Sequence, residues 1–305
     1  MLNEKNETMG AMLVCLAATL WGFDSIVLTP RLFKLSVPYV VFMLHLLPFI
    51  GMTLIFGKDE LKNIKKLDKR DLMFFFLVAL FGGSLGTLSI VKALFLVNFH
   101  HLTVVTLLQK LQPVFAIILA RVILKEREGK GFLFWAVMAL IGGYFLTFQF
   151  NMPQMVYNGN MLLACFYALL AAFSFGSATV FGKRILKNAS FRTPLYLRYG
   201  LTAFIMFFIA FFTGSLGYIN HTTPFQWLIF VIIGLTSGSG AILLYYKGLR
   251  YIKANVATMC ELCFPVSSIL FDYIFNGNVL SIIQILSAVL MLYSIYKITK
   301  NRVSR

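Results

Sequence analysis

Acidic residues are scarce in this chain: eleven Asp and Glu stand against 27 Lys and Arg, and charged residues of both signs make up only 12% of 305. A membrane-embedded enzyme, such as a lipid-modifying transferase, needs acids, histidines or a nucleophile clustered near one interface. Here most acids fall in loops and the four histidines are scattered. His100 and His101 are the one adjacent pair, with no acid beside them, so no catalytic residue, metal or other cofactor is expected.

Cysteine is equally sparse. Cys15, Cys165, Cys260 and Cys263 all fall in apolar runs, where they read as small core residues rather than a disulfide framework. Cys260 and Cys263 form a C-x-x-C, but the His or second Cys pair that a metal site needs is missing. No polar stretch is long enough to hide a soluble domain. Alternation of apolar and polar residues is also lacking, and with it the pattern of a β-barrel.

What the chain does have is hydrocarbon. Hydrophobic residues make up 59%, with a mean hydropathy of +0.83. Runs of about 20 apolar residues, enough to cross about 30 Å of bilayer core, recur throughout. They predict an all-α polytopic membrane protein with ten spans, at 10–29, 37–56, 72–91, 102–124, 131–150, 160–181, 194–214, 224–246, 254–275 and 279–297. The first follows ten polar residues and has no cleavage signature, so it reads as a retained helix.

The net charge of +16 belongs to short loops, which argues for topology and against a nucleic-acid partner. Lys and Arg crowd 57–71, 125–130, 182–193, 247–253 and both ends. The opposite side has Arg31, Lys34 and Lys92, and none in 151–159, 215–223 or 276–278. The positive-inside rule places both termini in the cytoplasm, and a bacterial inner membrane is the expected location.

The chain is organised around Leu107 to Glu128, where Gln109, Lys110, Gln112 and Pro113 interrupt an apolar run. A charge at the centre of a spanning helix costs roughly 2.5 to 3.5 kcal/mol, so it faces a wet cavity, a partner or a ligand. The proline frees a backbone carbonyl that something else must satisfy. Met259 to Ser281 repeats the pattern, with Glu261 four residues before Pro265 as Gln109 is four before Pro113. Other stretches also pair: ATLWGFD from Ala18 with AFSFGSA from Ala172, and Gly83 and Lys92 with Gly238 and Lys247. Duplication is the economical explanation. Two units of five crossings, 10–150 and 160–297, must then have opposite topology.

The aromatic-glycine opening (Trp21, Gly22), the K-A-L after a glycine-rich third span (Lys92, Ala93, Leu94), the L-x-P-V-F helix (Leu111, Pro113, Val114, Phe115) and its terminal Glu126 resemble the EamA-like family of the drug/metabolite transporter superfamily. The resemblance covers about 10 to 297. It implies a carrier with ten transmembrane helices in two inverted five-helix repeats, moving small metabolites by alternating access. The second copy departs from the family pattern with Asn278 in place of Glu and Phe175 in place of Trp.

Helical rise puts Lys110 roughly 14 Å in from one face and Glu261 roughly 12 Å in from the other, so both reach the middle. Inverted-repeat carriers hold substrate there, between the halves. Two readings stand together: both side chains line one cavity and meet opposite charges of a solute, or they form a buried salt bridge between spans four and nine. Glu261 is also a candidate to carry a coupling proton. Gln109 and Gln112 share a face with Pro113 and are candidate donors to substrate, whereas Lys110 is turned about 100° from Gln109. Asp24 either completes the cavity or pairs with Lys92. His45 is a candidate titrating group, although hydrogen-bonded packing is the commoner role for such a histidine. Glu126 is expected to brace or gate the inner end, Pro113 and Pro265 to shape the two helices, and Arg198 to snorkel to the inner interface.

The expected activity is therefore secondary transport of a small polar metabolite, an amino acid or related charged or zwitterionic solute. An organic cation or a phosphometabolite is the alternative cargo. The expected partners are that solute and the lipid bilayer, with a monomer or homodimer as the assembly.

Overall fold

The computed structural model describes residues 4–96, 105, 108–151 and 159–300. They are helical, with no strand among the described residues. Among the described residues eight helices are long and apolar enough to cross a membrane: α1 (Lys5–Leu32), α2 (Val37–Ile64), α3 (Lys69–Ala93), α6 (Gly159–Ile185), α7 (Arg192–Phe212), α8 (Pro224–Tyr251), α9 (Ala254–Asn276) and α10 (Ile282–Lys300). Two shorter apolar helices, α4 (Gln112–Ile123) and α5 (Phe132–Phe148), stand where spans four and five were expected. Part of the expected fourth span, including His101, lies outside the described residues.

Large apolar side chains such as Leu54, Ile55, Phe212 and Val279 are exposed around the bundle, while its interior holds many small residues beside large ones such as Tyr39, Phe75, Phe230 and Tyr246. The buried face of α6 runs Ala164, Ala168, Ala171, Ala172, Ser174, Gly176 and Ser177. In lipid an apolar surface gains nothing by hiding, so close backbone approach between small residues does the packing.

Helix ends are closed by side chains. Thr223 and Gln226 satisfy each other's backbone N–H groups at the start of α8, and Ser281 with Gln284 does the same at the start of α10. The main packing partners are α1 with α8 and α9, α6 with α3 and α4, α2 with α7, and α5 with α10.

Several helices are irregular inside. Wide π-helical turns occupy Asp24–Leu28 in α1, Ala79–Leu85 in α3 and Gly234–Gly238 in α8. Such turns leave backbone carbonyls under-used and gather at functional sites. α9 breaks at Glu261 and Leu262, between Ala254–Cys260 and Cys263–Asn276. The chain entering α4 breaks at Lys110 and Leu111. Each break comes a few residues before its proline, Pro265 or Pro113, which cannot supply the missing N–H.

Two glycines let neighbouring helices reach these breaks. A Cβ on Gly176 of α6 would lie 2.9 Å from the Gln112 carbonyl oxygen and 3.0 Å from the Ala116 nitrogen. A Cβ on Gly22 of α1 would collide with Ser267 and lie 3.0 Å from the Phe264 carbonyl oxygen. The aromatic-glycine stretches therefore seat α1 on α9 and α6 on α4.

Candidate functional site

The two broken helices face each other across a small cavity of about 50 Å³. The first break contributes Gln109, Lys110, Gln112 and Pro113, and α9 contributes Thr258, Glu261, Leu262, Phe264 and Pro265. Lys110 and Glu261 thus border one void, but they are not bonded to each other. Lys110 Nζ donates to the Gly143 carbonyl at 3.3 Å and to the Thr147 hydroxyl, both on α5. Their separate partners correct the salt-bridge expectation. Lys110 is turned away from the Gln109 and Gln112 face, and that turn carries its ammonium to α5.

Glu261 is held by three helices. Gln112 Nε2 donates to its Oε2 at 2.6 Å, and Tyr245 of α8 donates to Oε1 at 2.8 Å. Thr179 Oγ1 of α6 lies 3.2 Å from Oε1 and 2.8 Å from the Tyr245 hydroxyl, its one proton serving either contact. Trp21 packs on Tyr245 with ring centroids 5.6 Å apart. A carboxylate inside a bilayer is tolerable only when surrounded by donors in this way. One acid therefore ties α4, α6, α8 and α9 together at the cavity edge.

The remaining candidates lie away from this void. Asp24 Oδ1 accepts from Thr29 at 2.9 Å within its own helix and does not line this void, and Lys92 is exposed, so neither the cavity role nor the Lys92 pair named for Asp24 is formed here. His45 Nδ1 sits 2.8 Å from the Val41 carbonyl and its ring lies 5.1 Å from that of Tyr199. This is the packing histidine named as the commoner outcome. Glu126 accepts from the backbone N–H groups of Ala254 at 3.0 Å and Asn255 at 3.3 Å. It braces α9 by capping the helix N-terminus rather than by meeting a basic side chain. Asn278, at the corresponding place in the second half, donates to Asp272 at 2.8 Å.

Arg198 corrects the snorkelling expectation. Its Nη2 donates to the Gly82 carbonyl, in the π turn of α3, at 3.0 Å. Depth along the helix had suggested an interfacial residue, whereas its face of α7 points into the bundle. Thr179, Tyr245, Thr258 and Arg198 were not among the site residues expected from sequence. A threonine or tyrosine in an apolar span carries no signal of its own; the glycine-rich stretch that kinks α3 was the one legible clue to Arg198.

Two further features border the site. Cys15 of α1 packs beside Cys260 and Cys263, so a third sulfur lies near the C-x-x-C of α9. At the Lys- and Arg-rich end a larger void of about 230 Å³ opens among Glu7, Lys183, Tyr251 and Lys253. Lys183 there donates to the Leu249 and Arg250 carbonyls at 2.7 and 3.1 Å. None of the expected site residues lines this second void. Among the described residues no group of His, Cys, Asp and Glu could hold a metal ion.

Comparison with known proteins places this geometry in context. The model of the EamA-like transporter family matches the chain twice, at residues 8–148 and 162–300. A riboflavin transporter, ImpX, of Fusobacterium nucleatum subsp. nucleatum is 70% identical over 295 residues, covering 97% of this chain and 99% of its own length. An uncharacterized transporter of Synechocystis, sll1164, is 26% identical over 260 residues, covering 83% of this chain and 73% of its own. A crystal structure at 15% identity superposes with a TM-score of 0.71, covering 95% of this chain and 96% of the other. That likeness is one of fold.

Proposed function

The chain belongs to the EamA-like transporter family, and from that premise we propose that it is a secondary transporter of riboflavin working by alternating access. The carrying observation is the 70% identity to the Fusobacterium riboflavin transporter along nearly the whole length of both chains. The cavity agrees with such a cargo. A zwitterionic amino acid needs an available cation and an available anion, but the Lys110 ammonium and the Glu261 carboxylate are occupied by protein partners. Beside these two partnered charges the void is lined by the neutral hydrogen-bonding groups of Gln109, Gln112 and Thr258 and by apolar rings, suited to the uncharged, planar ring system of a flavin with its hydroxylated side chain.

Alternating access asks for two halves that exchange roles around one site. The packing pattern supports this. Exchanging each helix of the first five with its counterpart five places later turns α1 on α8 and α9 into α6 on α3 and α4, and leaves α2 on α7 and α5 on α10 unchanged. The π turns of α3 and α8 begin at Ala79 and Gly234, 155 residues apart, the spacing that also separates Gly83 from Gly238. The two family matches divide the chain at the same place. We take these as support for two inverted five-helix repeats, with both termini cytoplasmic by the charge of the loops.

The test is uptake into proteoliposomes of riboflavin beside a panel of amino acids, amines and phosphorylated metabolites. Saturable riboflavin uptake, absent for the panel, is expected. Saturable amino-acid uptake with none of riboflavin would overturn the cargo. Glu261 is the acid on the proposed route that can carry a coupling proton; no change in riboflavin uptake when a proton gradient of either sign is imposed would remove that role.

A further inference from the structure

The cavity between α4 and α9 contains a hydroxyl that the protein does not use. Thr258 is buried and lines the void, and its Oγ1 has no hydrogen-bond partner among the described residues. A buried polar atom left unpaired is costly, and a ligand that bonds to it removes that cost. Thr258 stands one helical turn before Glu261, on the same side of α9. An acceptor is therefore wanted in this space.

Gln112 supplies the complementary groups, and Glu261 decides how they point. An ionised carboxylate only accepts, so Gln112 must present its NH₂ to Oε2, as the 2.6 Å contact requires. Of the two amide protons, the one anti to the carbonyl reaches a carboxylate without bringing Oε1 against it. The other N–H and Oε1 then share one edge of the carboxamide. That edge offers a donor beside an acceptor.

We propose that this edge and the Thr258 hydroxyl read the imide edge of the isoalloxazine ring. The ring's N3–H donates to Gln112 Oε1, one flanking carbonyl accepts from the second Gln112 N–H, and the other carbonyl accepts from Thr258. Carbonyl, N–H, carbonyl on the ring thus meets donor, acceptor, donor on the protein. Glu261 is a positioning residue: it holds the amide in the recognising orientation and does not itself touch the ring. The assignment rests on the riboflavin reading and specifies which part of the cargo is recognised. A void of about 50 Å³ admits the rim of the ring and not the whole tricycle, so α4 and α9 must part as the flavin enters.

The experiment is competition against labelled riboflavin uptake in proteoliposomes by unlabelled riboflavin and by N3-methylriboflavin, which lacks the donated proton. Sites built to bond a polar group reject analogues without it, so the methylated compound is expected to compete at least about tenfold more weakly. Gln112→Met removes the edge and brings the two competitors to within about threefold. Glu261→Ala frees the amide to rotate and also lowers the discrimination. Thr258→Val weakens both competitors by a similar factor of a few and keeps their ratio. Equal competition by the methylated compound in the unmodified protein overturns the assignment while leaving riboflavin transport intact, and this comparison needs no variant to fold. Absence of any riboflavin uptake removes the assignment together with the transport reading.

Discussion

Among single residues, Arg198 separates stability from function most cleanly. A guanidinium within a bilayer span carries a cost of roughly 2.5 to 3.5 kcal/mol at helix centre, offset here in part by its bond to the Gly82 carbonyl. A residue kept only for packing would be replaceable by an apolar one at little loss or some gain. Arg198→Leu is therefore expected to melt in detergent at an unchanged or higher temperature and to lose most of its uptake. A variant that transports normally would reduce Arg198 to scaffolding. Glu126 behaves in the opposite way. It accepts from the first two N–H groups of α9, and removing an N-terminal cap costs about 0.5 to 2 kcal/mol. Glu126→Ala should lower the melting temperature, with Glu126→Gln falling between because an amide oxygen still accepts from the backbone; a melting curve that does not move would place the cap elsewhere.

The elements were more legible than the contacts. Glutamine, lysine and proline within one apolar run, and glutamate and proline within another, can exist in a membrane only around a break, so both breaks could be expected from residue types alone. The partners of Glu261 could not. Thr179 and Tyr245 come from two other helices, and no spacing within α9 points to them. Lys110 shows the limit of depth: helical rise placed it at the middle, but only rotation about the helix decides between α5 and the cavity. The same rotation was missed for Arg198. Gly22 and Gly176 serve close approach between helices. Gly176 tests it directly, because a Cβ there meets backbone atoms of α4 that cannot swing aside. Gly176→Ala should cost on the order of 1 to 3 kcal/mol and slow transport. Gly217→Ala, where no atom lies within 4 Å of an added Cβ, is the control expected to leave both unchanged.

For the whole molecule, the question is whether the halves must separate. At the Lys- and Arg-rich end they are fastened at two points: Glu126 to α9, and Lys253 to the Arg127 carbonyl at 3.0 Å. Cys15 of α1 lies beside Cys260 and Cys263 of α9, which flank Glu261 at the edge of the cavity. α1 belongs to the first family match and α9 to the second, so a covalent bond here would staple one matched segment to the other beside the cavity. Diamide removes two hydrogens from two thiols and leaves a disulfide, joining Cys15 to one of its neighbours. The proposed alternating access would require this seam to part once per cycle, so oxidised protein should fall to the leak rate, recover when dithiothreitol restores the thiols, and become insensitive to diamide in Cys15→Ser. Cys165, on α6 and remote from the cluster, is the control whose replacement by serine should leave the inhibition in place. If mass spectrometry shows the disulfide formed and riboflavin still crosses at the original rate, α1 and α9 do not separate during transport, and the movement must lie between other helices.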